Sequence, residues 1–111
     1  MDTRLNYVDI IKKILKNYAD LYAQAGLPPM RTLFDDSQQS YMLLDIGWYG
    51  KKYIHNAIIH MEIIDDKIWI QNDDTETGVA NDLIKAGVPQ EDIVLGFHPP
   101  KVRPYTEFAV A

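Results

Sequence analysis

Hydrophobic residues recur at two different spacings along the chain, and the change of spacing separates a helix from a set of strands. Near the N-terminus, seven apolar or aromatic residues recur at steps of three and four, with polar residues between them: Tyr7, Ile10, Ile11, Ile14, Tyr18, Leu21 and Tyr22. This spacing predicts an amphipathic helix from about Leu5 to Ala23. The helix should end before Gly26-Leu27-Pro28-Pro29, because glycine and proline do not continue it.

From Met30 onward the period shortens to two, which is the period of a β-strand. Four strands are predicted, near Met30–Asp35, Tyr41–Trp48, Tyr53–Ile64 and Lys67–Asn72. A two-residue turn at 65–66 and a four-residue loop at 49–52 set the registers of two hairpins. In these registers Met61 lies opposite Ile70, and Trp48 lies opposite Tyr53.

The two registers together assign the side chains to two sheet faces. The N-terminal helix is expected to cover the face that carries Met42, Leu44, Ile46, Trp48, Tyr53, Ala57, Ile59, Met61, Ile63, Ile68 and Ile70. The opposite face is more apolar than a solvated sheet face usually is, with Tyr41, Leu43, Ile58, His60, Glu62, Trp69 and Gln71. Either the C-terminal arm or the second helix covers this second face, or the face is a subunit interface.

A second, shorter helix is predicted after the strands. Asp73, Asp74 and Thr75 suit a helix start, and Gly87 suits a helix end. The predicted fold is therefore a single α+β domain spanning residues 1–111. In it, an N-terminal helix packs on a four-stranded antiparallel meander, and a second helix and an extended C-terminal arm follow.

The C-terminal segment VLGFHPPKVRPYTEFAVA, residues 94–111, holds three prolines and an apolar end. Because proline fixes the backbone angle φ, this arm should be partly ordered before it contacts anything. When the arm docks, on its own sheet or on a second chain, four apolar residues are expected to insert into grooves: Phe97, Val102, Phe108 and Val110. Arg103 is expected to pair with an acid, either Asp73 or Asp74 or a carboxylate of another protein.

Composition and charge narrow the function. The chain has 111 residues, 47% of them hydrophobic, no cysteine and a formal net charge of -5. The N-terminus has neither a signal peptide nor a membrane span, so a cytoplasmic location is expected. An acidic domain is poorly suited to bind DNA directly, and the basic residues along the first helix are interpreted as a solvated face: Arg4, Lys12, Lys13 and Lys16.

Catalytic and metal-binding motifs are not evident in the sequence. His60 and Glu62 share a strand face, but two ligands do not make a metal site. Ser37 and Ser40 lie in a predicted turn with no histidine and acid near them in sequence, and no glycine-rich phosphate loop is present. No cofactor and no enzymatic activity are expected.

Two long stretches resemble one known family. IWIQNDDTETGVANDLIKAGVPQEDIVLGFHPPKVRPYTEFAVA is similar to the C-terminal half of the XisI-like family of fdxN element excision controlling factors, and LLDIGWYGKKYIHNAIIHMEIIDDKIWIQ is similar to its central hairpins. The likeness is most specific over Ile68 to Gln71, Thr75-Glu76, Gly87-Val88-Pro89, Asp92 to Leu95, Arg103, Thr106 and Phe108 to Ala111. The resemblance implies a cyanobacterial accessory protein for DNA excision during heterocyst development, with an XisH-like partner and no catalytic residues.

These observations predict a protein that acts by binding protein, in a complex with an XisH-like protein and a site-specific recombinase, or with further copies of itself. The predicted partner-binding residues are Tyr41, Ile58, His60, Trp69, Gln71, Phe97, Arg103, Thr106 and Phe108. The alternative is a small-molecule sensor that holds an anion between arm and sheet through Arg103 and Thr106. Direct DNA binding through the basic side of the first helix is a third interpretation.

Overall fold

A five-stranded sheet carries two helices on one of its faces. The computed structural model describes residues 6–111. The elements, in chain order, are α1 (Tyr7–Gln24), β1 (Arg31–Asp35), β2 (Ser40–Tyr49), β3 (Lys52–Ile64), β4 (Lys67–Asp73), α2 (Val79–Lys85) and β5 (Ile93–Leu95). The strands lie side by side in the order β1-β2-β3-β4-β5. The predicted α+β class is confirmed, with one strand more than predicted.

Helix α1 forms where the spacing of three and four predicts it, although Leu5 lies outside the described residues. The side chain of Asn6 accepts a hydrogen bond from the backbone N–H of Asp9 at 3.1 Å and so caps the first turn. Ile11 and Leu15 are fully buried against the sheet. Gly26 follows the helix with φ +82°, a conformation that glycine adopts without the steric cost of a side chain.

Helix α2 begins several residues later than predicted. Asp73, expected to start the helix, instead ends β4 and accepts a hydrogen bond from the backbone N–H of Val79 at 2.7 Å, so its carboxylate caps the helix from a distance. The predicted end is confirmed. Gly87 has φ +101°, and the N–H of Val88 donates to the carbonyl of Leu83 at 3.0 Å, as in a Schellman motif.

The predicted four-stranded meander is incomplete, because the chain adds a fifth strand after α2. Ile93 lies opposite Ile68 and Leu95 opposite Ile70, in parallel orientation. The sequence assigns Val94 and Leu95 to the extended C-terminal arm, whereas in the structure they form β5 together with Ile93. A parallel neighbour requires a crossover connection, which α2 supplies.

Both predicted hairpin registers are confirmed at their turns, where Trp48 pairs with Tyr53 and Ile64 with Lys67. Asp65 and Asp66 have φ of 51° and 63°, so both central residues of the two-residue turn are left-handed, as a type I′ hairpin requires. The loop at 49–52 is shorter than predicted, because Tyr49 and Lys52 already pair across it.

A β-bulge in β3 changes the register partway along the sheet. Leu43 pairs with Ile59, but the next residue, Leu44, pairs with Ala57, which leaves Ile58 as the extra residue. Because side chains alternate between faces, an extra residue reverses the faces of everything beyond it on that strand. The odd-numbered residues of β3 therefore change face at Ile58.

The predicted assignment of side chains to faces is consequently wrong for much of β2 and for half of β3. We call the side that carries α1 and α2 the helix face, and the other side the outer face. Tyr41 and Leu43, predicted on the face opposite the N-terminal helix, are fully buried on the helix face. The outer face instead carries residues predicted to lie beneath the helix: Met42, Leu44, Ile46, Trp48, Tyr53 and Ala57.

The buried cluster between the sheet and the two helices includes expected residues of β3 and β4, but β2 contributes Tyr41 and Leu43 in place of Met42 and Leu44. Its members come from every layer: Ile11, Ile14, Leu15, Tyr41, Leu43, Ile59, Met61, Ile68, Ile70, Val79, Leu83, Val88 and Ile93. Burying one such aliphatic side chain stabilises a fold by about 1.5–3 kcal/mol. Ile58, predicted on the second face, is half-buried and packs against this cluster.

Tyrosine hydroxyls tie separate elements together beside this cluster. Tyr7 of α1 donates to the carboxylate of Asp92, just before β5, at 2.5 Å. Tyr41 donates to Asp36 at 2.9 Å. Burial, reinforced by these carboxylates, raises the pKa of both Tyr7 and Tyr41 to about 12.

The reversal of faces predicts opposite outcomes for two neighbouring substitutions. Leu43→Ala removes a fully buried side chain and should lower the free energy of unfolding by about 2–5 kcal/mol. Met42→Ala, on the half-buried outer face, should cost less than half as much. Urea unfolding followed by circular dichroism measures both. Equal losses, or a larger loss for Met42→Ala, would contradict the observed register.

The raised tyrosine pKa values predict a specific alkaline limit to stability. Because the folded-state pKa of Tyr7 and Tyr41 exceeds the ordinary value of 10.0, their contribution to the free energy of unfolding is fully present below pH 10. It should be lost as the pH rises toward 12. Urea unfolding at intervals from pH 9 to 12 should show this fall, and Tyr7→Phe should flatten it. Tyr105→Phe, at an 89% exposed position, is the control and should leave the slope unchanged.

Candidate functional site: the outer face and the C-terminal arm

The outer face exposes large apolar side chains at the end of the β2–β3 hairpin. Trp48 is 68% exposed and Tyr53 is 51% exposed, and their rings pack together with centroids 5.1 Å apart. Leu33 of β1, on the same face, is 53% exposed. Aromatic side chains presented in this way are typical of protein-binding surfaces, because they bury much area at a low cost in side-chain entropy.

The C-terminal arm, residues 96–111, starts by crossing the outer face at Gly96. A side chain there would collide with the side chains beneath it, since a Cβ would lie 2.7 Å from Oε1 of Gln71 and 3.1 Å from the ring of Trp69. The N–H of Gly96 donates to the carbonyl of Ile70 at 2.9 Å. Glycine therefore lets the arm cross close to β4.

Arg103 fixes the middle of the arm on this face. Its guanidinium lies over the ring of Trp69, with the carbon 5.0 Å from the ring centroid. The same group donates from Nε to the carbonyl of His98 at 3.1 Å and from Nη1 to that of Val110 at 3.3 Å. Arg103 thus joins both ends of the arm to Trp69, and its side chain pairs with neither Asp73 nor Asp74, the intramolecular partners considered for it.

The rest of the arm folds back toward β5. Thr106 donates to the carbonyl of Arg103 at 2.8 Å and accepts from the N–H of Phe108 at 3.3 Å. Phe108 packs against the buried cluster, and the N–H of Ala109 donates to the carbonyl of Ile93 at 2.9 Å. Of the residues expected to insert into grooves, Phe108 docks within this chain, whereas Phe97 and Val110 are 48% and 53% exposed.

Folding brings together a serine, a histidine and an acid that are separate in sequence. Oγ of Ser40 lies 2.8 Å from Nε2 of His60, and Oε2 of Glu62 lies 3.8 Å from the same nitrogen. Gln71 holds the other carboxylate oxygen of Glu62 at 3.1 Å. A Ser-His-acid triad requires the acid on the opposite ring nitrogen, so this arrangement does not match one.

Ser40 was dismissed as a nucleophile because it was placed in a turn, with no histidine and acid near it in sequence. In the structure it is the first residue of β2 and pairs with Glu62 across the sheet. A groove of about 250 Å³ lies next to it, lined by Leu33, Phe34, Asp35, Gln38, Ser40, Met42 and Glu62. Within residues 6–111, no group of three or more histidine, cysteine, aspartate or glutamate side chains is placed to hold a metal ion.

The basic side of α1 is partly occupied by contacts within the fold. Lys12 lies 2.9 Å from the carboxylate of Asp36, and hydrogen bonding to Lys12 holds the pKa of that carboxyl below its ordinary value. Lys16 lies over the ring of Phe34 at 5.9 Å. Arg4 falls outside the described residues.

Comparison with known proteins gives the family. The family model for XisI protein matches residues 1–110. The chain belongs to the XisI family.

Solved structures of the XisI family share this fold closely. A crystal structure of an XisI-like protein from Anabaena variabilis matches with a TM-score of 0.87 and 37% identity, over 95% of this chain and 96% of that one. The fdxN element excision controlling factor XisI from the same organism matches with a TM-score of 0.81 and 39% identity, over the same shares. No curated protein matches the chain. No helix within residues 6–111 has the length and hydropathy to span a bilayer.

The residues predicted to bind a partner fall into two groups. Six lie on the outer face or in the arm that crosses it: His60, Trp69, Gln71, Phe97, Arg103 and Thr106. Tyr41, Ile58 and Phe108 belong to or pack on the buried cluster. The outer face also has exposed aromatics that the predicted set omitted. The adjacent apolar pairs Leu43-Leu44 and Ile58-Ile59 were the sequence signal of the bulge that exposes them.

Arg103→Lys should loosen the arm while keeping its charge. A lysine cannot donate to two carbonyls and stack on Trp69 at once, so we expect a loss of about 1–2 kcal/mol in the free energy of unfolding. In a Trp48→Phe background Trp69 is the remaining tryptophan, and its emission should shift to longer wavelength. Lys101→Ala, at an exposed site in the same arm, is the control. Unchanged Trp69 emission would show that Arg103 does not hold the arm.

Proposed function

We propose that this XisI family member is a non-enzymatic accessory protein that controls site-specific DNA excision by binding another protein, with an XisH-like protein as the partner. The observation that carries the proposal is the match over nearly the whole chain to a protein named as an excision controlling factor. It acts in the cytoplasm, as one component of a recombinase complex.

The chemistry of the described residues supports binding rather than catalysis. Glu62 and Ser40 meet the same nitrogen of His60, which leaves the imidazole without the acid partner that orients it in acyl transfer. The net charge of -5 disfavours direct contact with phosphates. The effect on DNA is therefore exerted through a protein partner.

The proposed docking surface combines the outer face with the arm. Trp48 and Tyr53 supply an exposed aromatic pair at one end, and Phe97 and the arm beside Trp69 supply the other. Arg103 holds the arm in place, so the surface is formed before the partner arrives. Such preorganisation lowers the entropic cost of association.

The anion-sensor alternative is not favoured by any specific contact. The guanidinium of Arg103 donates to two carbonyls of the arm, and the hydroxyl of Thr106 donates to a third. Binding an anion there would require these hydrogen bonds to break. Protein binding therefore remains the function that the contacts support best.

Co-purification with a co-expressed XisH-like protein tests the proposal. Trp48→Glu and Phe97→Glu each place a charge at an exposed apolar site, and each should weaken binding about tenfold or more. The matched control is Leu21→Glu, at a 58% exposed apolar site on α1. Point variants are preferable to truncation after Gly96, because truncation also removes Phe108 from the buried cluster.

Two results would contradict the proposal. If the wild-type chain fails to bind the XisH-like protein when titrated by calorimetry, the partner is wrong. If it binds and only Leu21→Glu weakens the complex, the docking surface lies on the helices instead.

A further inference from the structure

The two edges of the sheet differ in how they are protected. At the β5 edge the strand has three residues, and the arm lies beside it through the bridge between Val94 and Ala109. At the other edge β1 has five residues and pairs only with β2 among the described residues. An edge strand of this kind presents unpaired backbone groups to another strand.

Three of the usual features that prevent edge pairing, namely proline, lysine and a bulge, are missing from β1. Its sequence, RTLFD, contains no proline and no lysine, and its pairing with β2 has no bulge. Its two charged residues stand at opposite ends and have opposite signs. When β1 of a second copy lies antiparallel to it, each charged residue therefore lies opposite one of the other sign. Such self-complementarity is the condition for two copies to pair about a two-fold axis.

We propose that β1 pairs antiparallel with β1 of a second copy of this chain, about a two-fold axis at Leu33, to form a continuous ten-stranded sheet. In this register Arg31 of each copy lies opposite Asp35 of the other. Each residue of one strand then pairs with a residue whose number differs from its own by zero, two or four. The backbone N–H and C=O groups that point away from β2 in one copy therefore face the same groups of the other copy.

The side chains on the outer face support this register. Arg31, Leu33 and Asp35 lie across from residues 44, 42 and 40 of β2, and all three therefore point to the outer face. Pairing places two arginine–aspartate contacts on either side of a leucine–leucine contact. Opposite charges and apolar pairs directly across two strands are stabilising combinations.

The groove beside β1 provides an independent argument. Two of its lining residues, Asp35 and Glu62, are acidic, and none is basic. The carboxylate of Asp35 is fixed by Ser37, whose hydroxyl donates at 2.6 Å, and by Gln38, whose side-chain amide donates at 2.8 Å. The guanidinium of Arg31 from the second copy would enter this acidic groove, where the carboxylate of Asp35 is already oriented to accept its hydrogen bonds.

Analytical ultracentrifugation of charge variants tests the register. The wild-type chain should form a reversible dimer, and weakly, because a five-residue edge is a small interface. Arg31→Asp and Asp35→Lys should each weaken self-association at least tenfold, since each sets like charges opposite one another. A mixture of the two variants should recover association, because both contacts in the mixed dimer then join opposite charges. Lys51→Asp, at the exposed tip of the β2–β3 hairpin, is the control.

Oxidative cross-linking provides a second test that does not alter Asp35. The chain has no cysteine, so Leu33→Cys introduces a single thiol on the proposed axis. It should form a disulfide-linked dimer at least tenfold faster than Trp48→Cys, which places a thiol at a more exposed site. A wild-type chain that stays monomeric at millimolar concentration would overturn the proposal. So would dimerisation unaffected by Arg31→Asp, or equal cross-linking rates for the two cysteine variants.

Discussion

The side-chain amide of Asn72 makes the hydrogen bonds on which the register of the rest of the sheet depends. It donates to the carbonyl of Ala57 at 2.6 Å and to that of Ile58 at 3.3 Å, and the N–H of Asp74 also donates to Ile58 at 2.8 Å. These bonds satisfy the carbonyls of Ala57 and Ile58 and tie the bulged segment of β3 to the end of β4. By stabilising the extra residue, they fix which face each side chain of β3 occupies on either side of it.

The bulge at Ile58 links the core to the functional surface. On one side of the bulge, Ile59 and Met61 point into the cluster beneath the helices. On the other side, Tyr53 and its neighbour Trp48 point outward and stay exposed. A sheet without the bulge would have buried one apolar set continuously and left no aromatic pair for a partner. The surface proposed for protein binding is therefore a consequence of how the core is packed.

The arm shows how a terminal segment becomes part of the structure. Gly96 permits the close crossing, Arg103 joins the arm to Trp69, and Phe108 packs on the buried cluster. The arm also protects the edge at β5, while at the other edge β1 has no neighbour besides β2 among residues 6–111. In the proposed pairing of two copies at β1, the two outer faces would form one continuous surface.

The sequence by itself determined the elements with local causes: the helix period in α1, the alternation in four strands, the left-handed turn at 65–66, the glycine end of α2 and the family. Other features were decided only by tertiary structure. The adjacent apolar pairs in β2 and β3 signal an irregularity, but the position of the bulge at Ile58 and the parallel docking of β5 depend on hydrogen bonds and packing with partners distant in sequence. The same reason placed Tyr41 in the core and brought Ser40 to His60.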